Sequence, residues 1–225
     1  MESVYQIHRV GPVSSDEFAL DHPIWSQADE LEISHFHPRS SEHRPRTRGR
    51  VLFDGANLLA RFEVDDRYVI SRSTQFQDMV CLDSCVEFFF QPLPQLGHFN
   101  FEINCGGTFL MYYVEDPTRT PRGLAKYTPL DAGLAEAITI RHSMPAVVLP
   151  ERQEPTTWSV AARIPLSVVE PFIGQHQYLA SNQWRGNFYK CADHSSHPHW
   201  ASWSPLGEAL NFHDRAHFGA LQFKS

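Results

Sequence analysis

The chain is dominated by short runs in which apolar and polar side chains alternate. That is the period of a strand with one buried face, and the 3.6-residue period of an amphipathic helix is almost absent. Leu31, Ile33 and Phe36 set such a run over 28–36. From Gly49, GRVLFDGANLLARFEVDD predicts a strand, a turn at Asp54-Gly55-Ala56-Asn57 and a second strand over 58–64, because Asp-Gly supplies the positive φ of a tight hairpin. In CLDSCVEFFFQP, Cys81, Asp83, Cys85, Glu87 and Phe89 share one face, and Leu82, Val86, Phe88 and Phe90 the other. HFNFEINC then sets Asn100, Glu102 and Asn104 against Phe101, Ile103 and Cys105, and Gly106-Gly107 turns the chain into a strand over 108–114. Further strands are predicted over 134–142, 157–164 and 187–191, with one short helix starting at Pro165-Leu166, where proline fits a first turn.

The intervening stretches are polar and rich in proline. They predict loops over 37–49, 67–80 and 116–127 and around Pro145, Pro150 and Pro155. The first residues, over about 1–20, read as an extended arm with a candidate strand at 4–10, and Pro23-Ile24-Trp25 marks entry into the domain. Many short strands separated by turn signals predict an all-β protein: one antiparallel β-sandwich domain spanning 1–225, with at most one or two short helices.

Composition narrows the functional classes. With 225 residues, 42% hydrophobic and 20% charged, the chain can bury the core of one domain. Its 19 Lys and Arg against 26 Asp and Glu give a net charge of −7, and the positive charges are scattered except between Arg39 and Arg50, so no nucleic-acid partner is expected. No run is apolar enough for a membrane span or a secretory leader, so no membrane partner and a cytoplasmic location are expected. Cys81, Cys85, Cys105 and Cys191 lie in strand-like segments and read as reduced thiols. Oligomeric state leaves no mark on the sequence.

Candidate chemistry concentrates in residues 184–223, which hold Trp184, Arg185, Asn187, Tyr189, Lys190, Trp200, Trp203 and five histidines. Glu87 and Glu102, on neighbouring predicted strands, offer either an acid/base pair or a carboxylate pair neutralised by Lys190 and Arg185. Cys191, His194, His197 and His199 are of zinc-ligand type, but their spacing matches no established zinc pattern, so they read as the rim of a site with His199 nearest a ligand. Asp65, Asp66 and Asp83 are candidate calcium ligands, and acidic loops are also commonly just solvated.

Four patterns occur together: DSCVEFF over 83–89; FEIN over 101–104 followed by Gly107-Thr108; WSVAARIP over 158–165; and the C-terminal NFYKC, SW and FHxxxxFG elements. In this order and spacing the chain resembles the family 9 carbohydrate-binding modules, a group related to the DOMON superfamily, over roughly residues 20–223. The resemblance implies a β-sandwich that binds a mono- or oligosaccharide in an aromatic and polar cleft, with no required cofactor and often a structural calcium. Carried over by position, it makes Glu87 a ligand of sugar hydroxyls, Asn104 an amide in the same cleft, Lys190 a cleft-facing polar group and Trp203 one of two tryptophans sandwiching the sugar. It puts Cys81 at the place of the second tryptophan, for which Trp184 or Trp200 could substitute, and Glu102 at the place of a sugar-binding arginine. Two other readings remain: a glycoside hydrolase using Glu87 and Glu102 in that cleft, and, from the DOMON relationship, a haem-binding domain with Met79, Met111 or a histidine as ligand.

Overall fold

The computed structural model describes residues 3–14, 18–174 and 183–224. Among them the strands are β1 (Val4–Arg9), β2 (Leu31–Ile33), β3 (His35–Phe36), β4 (Arg46–Phe53), β5 (Asn57–Asp66), β6 (Val69–Ser71), β7 (Cys85–Gln91), β8 (His98–Asn104), β9 (Phe109–Thr120), β10 (Gly123–Pro129), β11 (Thr139–His142), β12 (Val148–Arg152), β13 (Thr156–Pro165), β14 (Gln183–Cys191), β15 (Trp200–Ser202) and β16 (Gly219–Lys224). Two four-residue helices, α1 (Ala132–Ala135) and α2 (Glu170–Ile173), join them.

The main hydrogen-bonded path runs β10-β9-β8-β7-β14-β16-β1-β4-β5-β13-β11. It folds over on itself, so that Phe88, Phe101 and Phe188 from one half share a core with Phe62, Trp158 and Val160 from the other. Phe62 and Phe188 meet across the layers with ring centroids 6.3 Å apart. Alternation explains this: the apolar parity of β7, β8 and β14 turns inward, and the inward set of β5 and β13 answers it. The Asp54–Asn57 turn forms as its sequence requires, with Gly55 at φ 95° and Asp54 Oδ1 accepting from the Asn57 amide at 2.7 Å.

Residues 4–9, expected as a candidate strand over 4–10 within the arm, are a strand of the sandwich. β1 lies parallel between β16 and β4, Ile7 is fully buried, and Tyr5 Oη accepts from the Val51 amide at 2.8 Å. Four local expectations also change. Residues 67–80 include β6, which pairs with β12 from the proline-rich stretch. The alternation that begins at Cys81 enters a strand only at Cys85, because 80–82 form a 3₁₀ turn and Asp83 Oδ2 is used by the amides of Arg72 and Ser73. Residues 116–127 form the β9–β10 hairpin: beyond Val114, β9 has lost β8 as a neighbour, so Pro117 sits on an edge where its missing N–H disrupts no ladder. Residues 132–135 turn helical because Asp131 caps them, accepting from Gly133 at 2.8 Å.

Candidate functional site

All seven residues of β7 and all seven of β8 are buried, although only one face of each meets the inter-layer core. The other face is covered by the β9–β10 hairpin and by residues 203–218, and between these covers a cavity of about 380 Å³ remains. Register fixes its floor. Glu87 pairs with Glu102 on β8 and with Tyr189 on β14, and Cys85 pairs with Cys191. The walls are aromatic: Tyr112 and Tyr127 from the hairpin on one side, Trp200 and Phe212 on the other. Arg119 and Arg122 stand at the hairpin margin.

Floor and walls are held by directed bonds. Asn100 Nδ2 donates to Glu102 Oε1 at 2.8 Å while its Oδ1 accepts from the Tyr112 amide at 2.9 Å. Trp200 Nε1 donates to Asp193 Oδ1 at 2.7 Å, and Phe212 stacks on Tyr189 at 4.0 Å with the rings 5° from parallel. Cys191 Sγ lies 3.2 Å from Glu87 Oε1, whereas Glu87 Oε2 is buried with no partner.

Matched against protein families, residues 24–223 fit the profile of carbohydrate-binding family 9. The chain belongs to that family. Among solved structures, it is similar to a Bacteroides uniformis protein for which carbohydrate binding is proposed, with TM-score 0.82 and 23% identity over 100% of both chains. It is also similar to a family 9 module from Caldicellulosiruptor kristjanssonii solved with glucose, with TM-score 0.59 and 12% identity over 99% of this chain and 96% of that one. The same organism's module with cellotriose gives TM-score 0.58 and 14% identity over 99% and 94%. No curated protein matches.

Within this family 9 chain, the site residues expected from sequence separate into three places. Glu87 and Glu102 line the cavity. Asn104 shares their sheet face but is consumed by a turn: its Oδ1 accepts from the Gly106 and Thr108 amides, and its Nδ2 donates to Ser73 O and Asp83. Arg185 is also outside the cavity lining, donating to the Phe218 carbonyl.

Lys190, His199, Trp184 and Trp203 lie away from the cavity. Odd positions of β14 share the Glu87 face, so Trp184 and Lys190 point the other way, between the layers. Trp184 stacks on Phe90, with centroids 5.8 Å apart. Lys190 Nζ is fully buried, 2.8 Å from His199 Nε2 and 3.6 Å from Asp66 Oδ2. Trp203 packs edge-on against Tyr5 and Phe188, at 6.3 and 5.6 Å, and the tryptophan that does reach the cavity is Trp200.

The three candidate calcium ligands do not gather. Asp65 binds Arg48 and Thr157, Asp66 accepts from His43 at 2.7 Å and Trp158 at 3.1 Å, and Asp83 holds the Arg72–Ser73 amides. Among the described residues, the one close set of metal-ligand atoms belongs to Cys85, Glu87 and Cys191. His194 and His197 are outside it.

Burial sets the protonation of the floor. It pushes Glu87 well above the ordinary carboxylate range, with the Glu102 charge acting in the same direction. It raises Glu102 to about 7, against the opposing hydrogen bond from Asn100. Asp193 is raised by burial too, although Trp200 donates to it. Tyr112 goes up to about 12 through burial and then the Glu102 charge, and Cys85 to about 12 through burial. Burial therefore biases the floor carboxyls toward their protonated, hydrogen-bond-donating forms.

The sequence could have supplied part of what it missed. Tyr112 and Leu110 follow from carrying the β8 parity across to β9, and Cys191 from pairing β14 with β7. Arg119, Arg122 and Tyr127 had no such signal, because their hairpin looks like a proline-rich loop.

Proposed function

We propose that this chain is a carbohydrate-binding module that holds a mono- or oligosaccharide in the cavity floored by Glu87, Asn100 and Glu102 and walled by Trp200, Tyr112, Tyr127 and Phe212. The observation that carries the reading is the pairing of aromatic walls with planar polar groups in one sheltered pocket of about 380 Å³. A pyranose has apolar C–H faces that pack on rings and hydroxyls that need oriented donors and acceptors, and this cavity offers both. Membership of family 9 and the glucose and cellotriose bound by the Caldicellulosiruptor module support it. Where the resemblance puts an arginine, Glu102 supplies an acceptor, or a donor when protonated, so hydroxyl recognition here differs from the arginine pattern.

Titration calorimetry with glucose, cellotriose and a wider glycan panel tests the reading. The expected result is saturable binding to at least one sugar that weakens in Trp200→Ala. A folded protein that binds no glycan, or whose affinity ignores Trp200→Ala, overturns it.

The cross-strand pairing of Glu87 with Glu102 favours a second reading, hydrolysis of a glycosidic bond. Turnover of aryl glycosides that disappears in Glu102→Gln supports hydrolysis. Inertness across the panel leaves binding as the function.

A further inference from the structure

We propose that Cys85, Glu87 and Cys191 form a binding site for a thiophilic divalent cation of the zinc class at the cavity floor. The donor atoms, two sulfurs and a carboxylate oxygen, already lie within 4.8 Å of one another, and all three residues are buried. Register holds them there: Cys85 and Cys191 are direct partners on β7 and β14, and Glu87 is two residues along the same face of β7. Tetrahedral zinc takes sulfur at about 2.3 Å and carboxylate oxygen at about 2.0–2.2 Å, which puts ligand atoms roughly 3.5–4 Å apart, so side-chain rotation closes the gap without moving the sheet.

A second observation points to a missing partner. Glu87 is 2% exposed and lines the cavity, Cys191 Sγ occupies its Oε1 at 3.2 Å, and its Oε2 has no hydrogen-bond partner. An unsatisfied carboxylate oxygen in such a place is costly. Glu102 and Asp193 stand beside it, among the described residues neither they nor Glu87 form an ion pair, and Arg119 and Arg122 lie at the hairpin margin of the same cavity. A cation bound here satisfies Oε2.

Coordination releases to solvent the Sγ protons of both cysteines and any proton on the Glu87 carboxyl, so the metal binds the thiolate and carboxylate forms. Two thiolates and one carboxylate select zinc, cobalt or cadmium over calcium and magnesium, which prefer all-oxygen shells. Cys191 and Glu87 border the cavity, so the fourth position of a tetrahedral ion faces it and takes water or a ligand oxygen. The site goes beyond the sugar reading and does not depend on it.

The test is a cobalt(II) titration of reduced, chelator-treated protein with no sugar present, followed by zinc competition. The expected result is one cobalt per chain, with a thiolate-to-cobalt charge-transfer band and visible d–d bands that zinc abolishes. Loss of one supporting outer-shell group costs about 10–100-fold in metal affinity, so Cys191→Ser and Glu87→Gln are each expected to cost at least that. Circular dichroism establishes that each variant is folded, and Glu87→Gln keeps the side-chain shape if the cysteine variant fails to fold. Absence of the charge-transfer band in folded, reduced wild type overturns the site, as does binding indifferent to both substitutions. Sugar titration of the same sample reads the cavity separately, so either reading can fail alone.

Discussion

Glu87 and Glu102 face each other as register partners on β7 and β8, both buried at the floor of the cavity, and no cationic side chain forms an ion pair with either among the described residues. The fold therefore favours the protonated carboxyl, and stability becomes linked to pH. Glu102 is raised from its ordinary 4.5 to about 7, chiefly by burial. Its contribution is complete below about pH 4.5 and is lost as pH rises through about 7, because the folded protein must then ionise a desolvated group. Urea denaturation over that range should show wild type losing stability relative to Glu102→Gln as pH increases. Parallel curves for the two proteins would refute the assignment.

The walls predict a ranking among tryptophans. Trp200 borders the cavity, whereas Trp203 packs on Tyr5 and Phe188 and Trp184 on Phe90. Aromatic contacts contribute about 0.5–1.5 kcal/mol beyond the area they bury, so Trp200→Ala should weaken sugar binding by roughly tenfold or more and leave the melting temperature close to wild type. Trp203→Ala should do the reverse, lowering stability with little effect on affinity in the folded fraction. Calorimetry and thermal melts on the same two variants separate these outcomes.

Lys190 carries a different prediction, since its ammonium is buried against Asp66 and His199 rather than offered to a ligand. Removing one partner of a buried pair costs about 3–5 kcal/mol, because the other charge is stranded. Lys190→Met should cost that much in chemical denaturation, and Lys190→Met combined with Asp66→Asn should recover part of it. The Lys190 charge, after the burial it opposes, helps hold Asp66 below its ordinary range. This contribution is present above about pH 3.8 and is lost as pH falls below it.

The β1 strand is testable as well. Ile7 is fully buried in the main core, and truncating a buried isoleucine costs about 2–5 kcal/mol. Ile7→Ala should fall in that range in equilibrium unfolding. A free arm would give a change near zero.

What could be read from sequence and what could not divide along physical lines. The sandwich and the Glu87–Glu102 floor were legible, since two-residue alternation needs only the local pattern to assign a face. The same rule, applied to β14, puts Lys190 opposite Cys191 and Tyr189, yet the positional match to the family placed it in the cleft. Trp203 was preferred over Trp200 by positional match, but which tryptophan reaches the cavity depends on where β15 leaves β14, a tertiary fact. The β9–β10 hairpin was hidden because Pro117 and Pro121 signal a loop unless the strand is known to lie on an edge.

Parallel pairing of β1 with β16 has a consequence for assembly of the molecule. β1 bridges the two halves of the sheet path, but one of its two neighbours is built from residues 219–224. During synthesis, β1 emerges long before β16 and must wait beside β4 with one edge open until residues 219–224 have left the ribosome. The contact spans more than two hundred residues, the kind of distant pairing that slows folding. Until β16 arrives, the edges of β1 and β14 that it pairs with stay available to other chains. The late seam, more than the cavity, is where this protein would be expected to aggregate when folding is hurried.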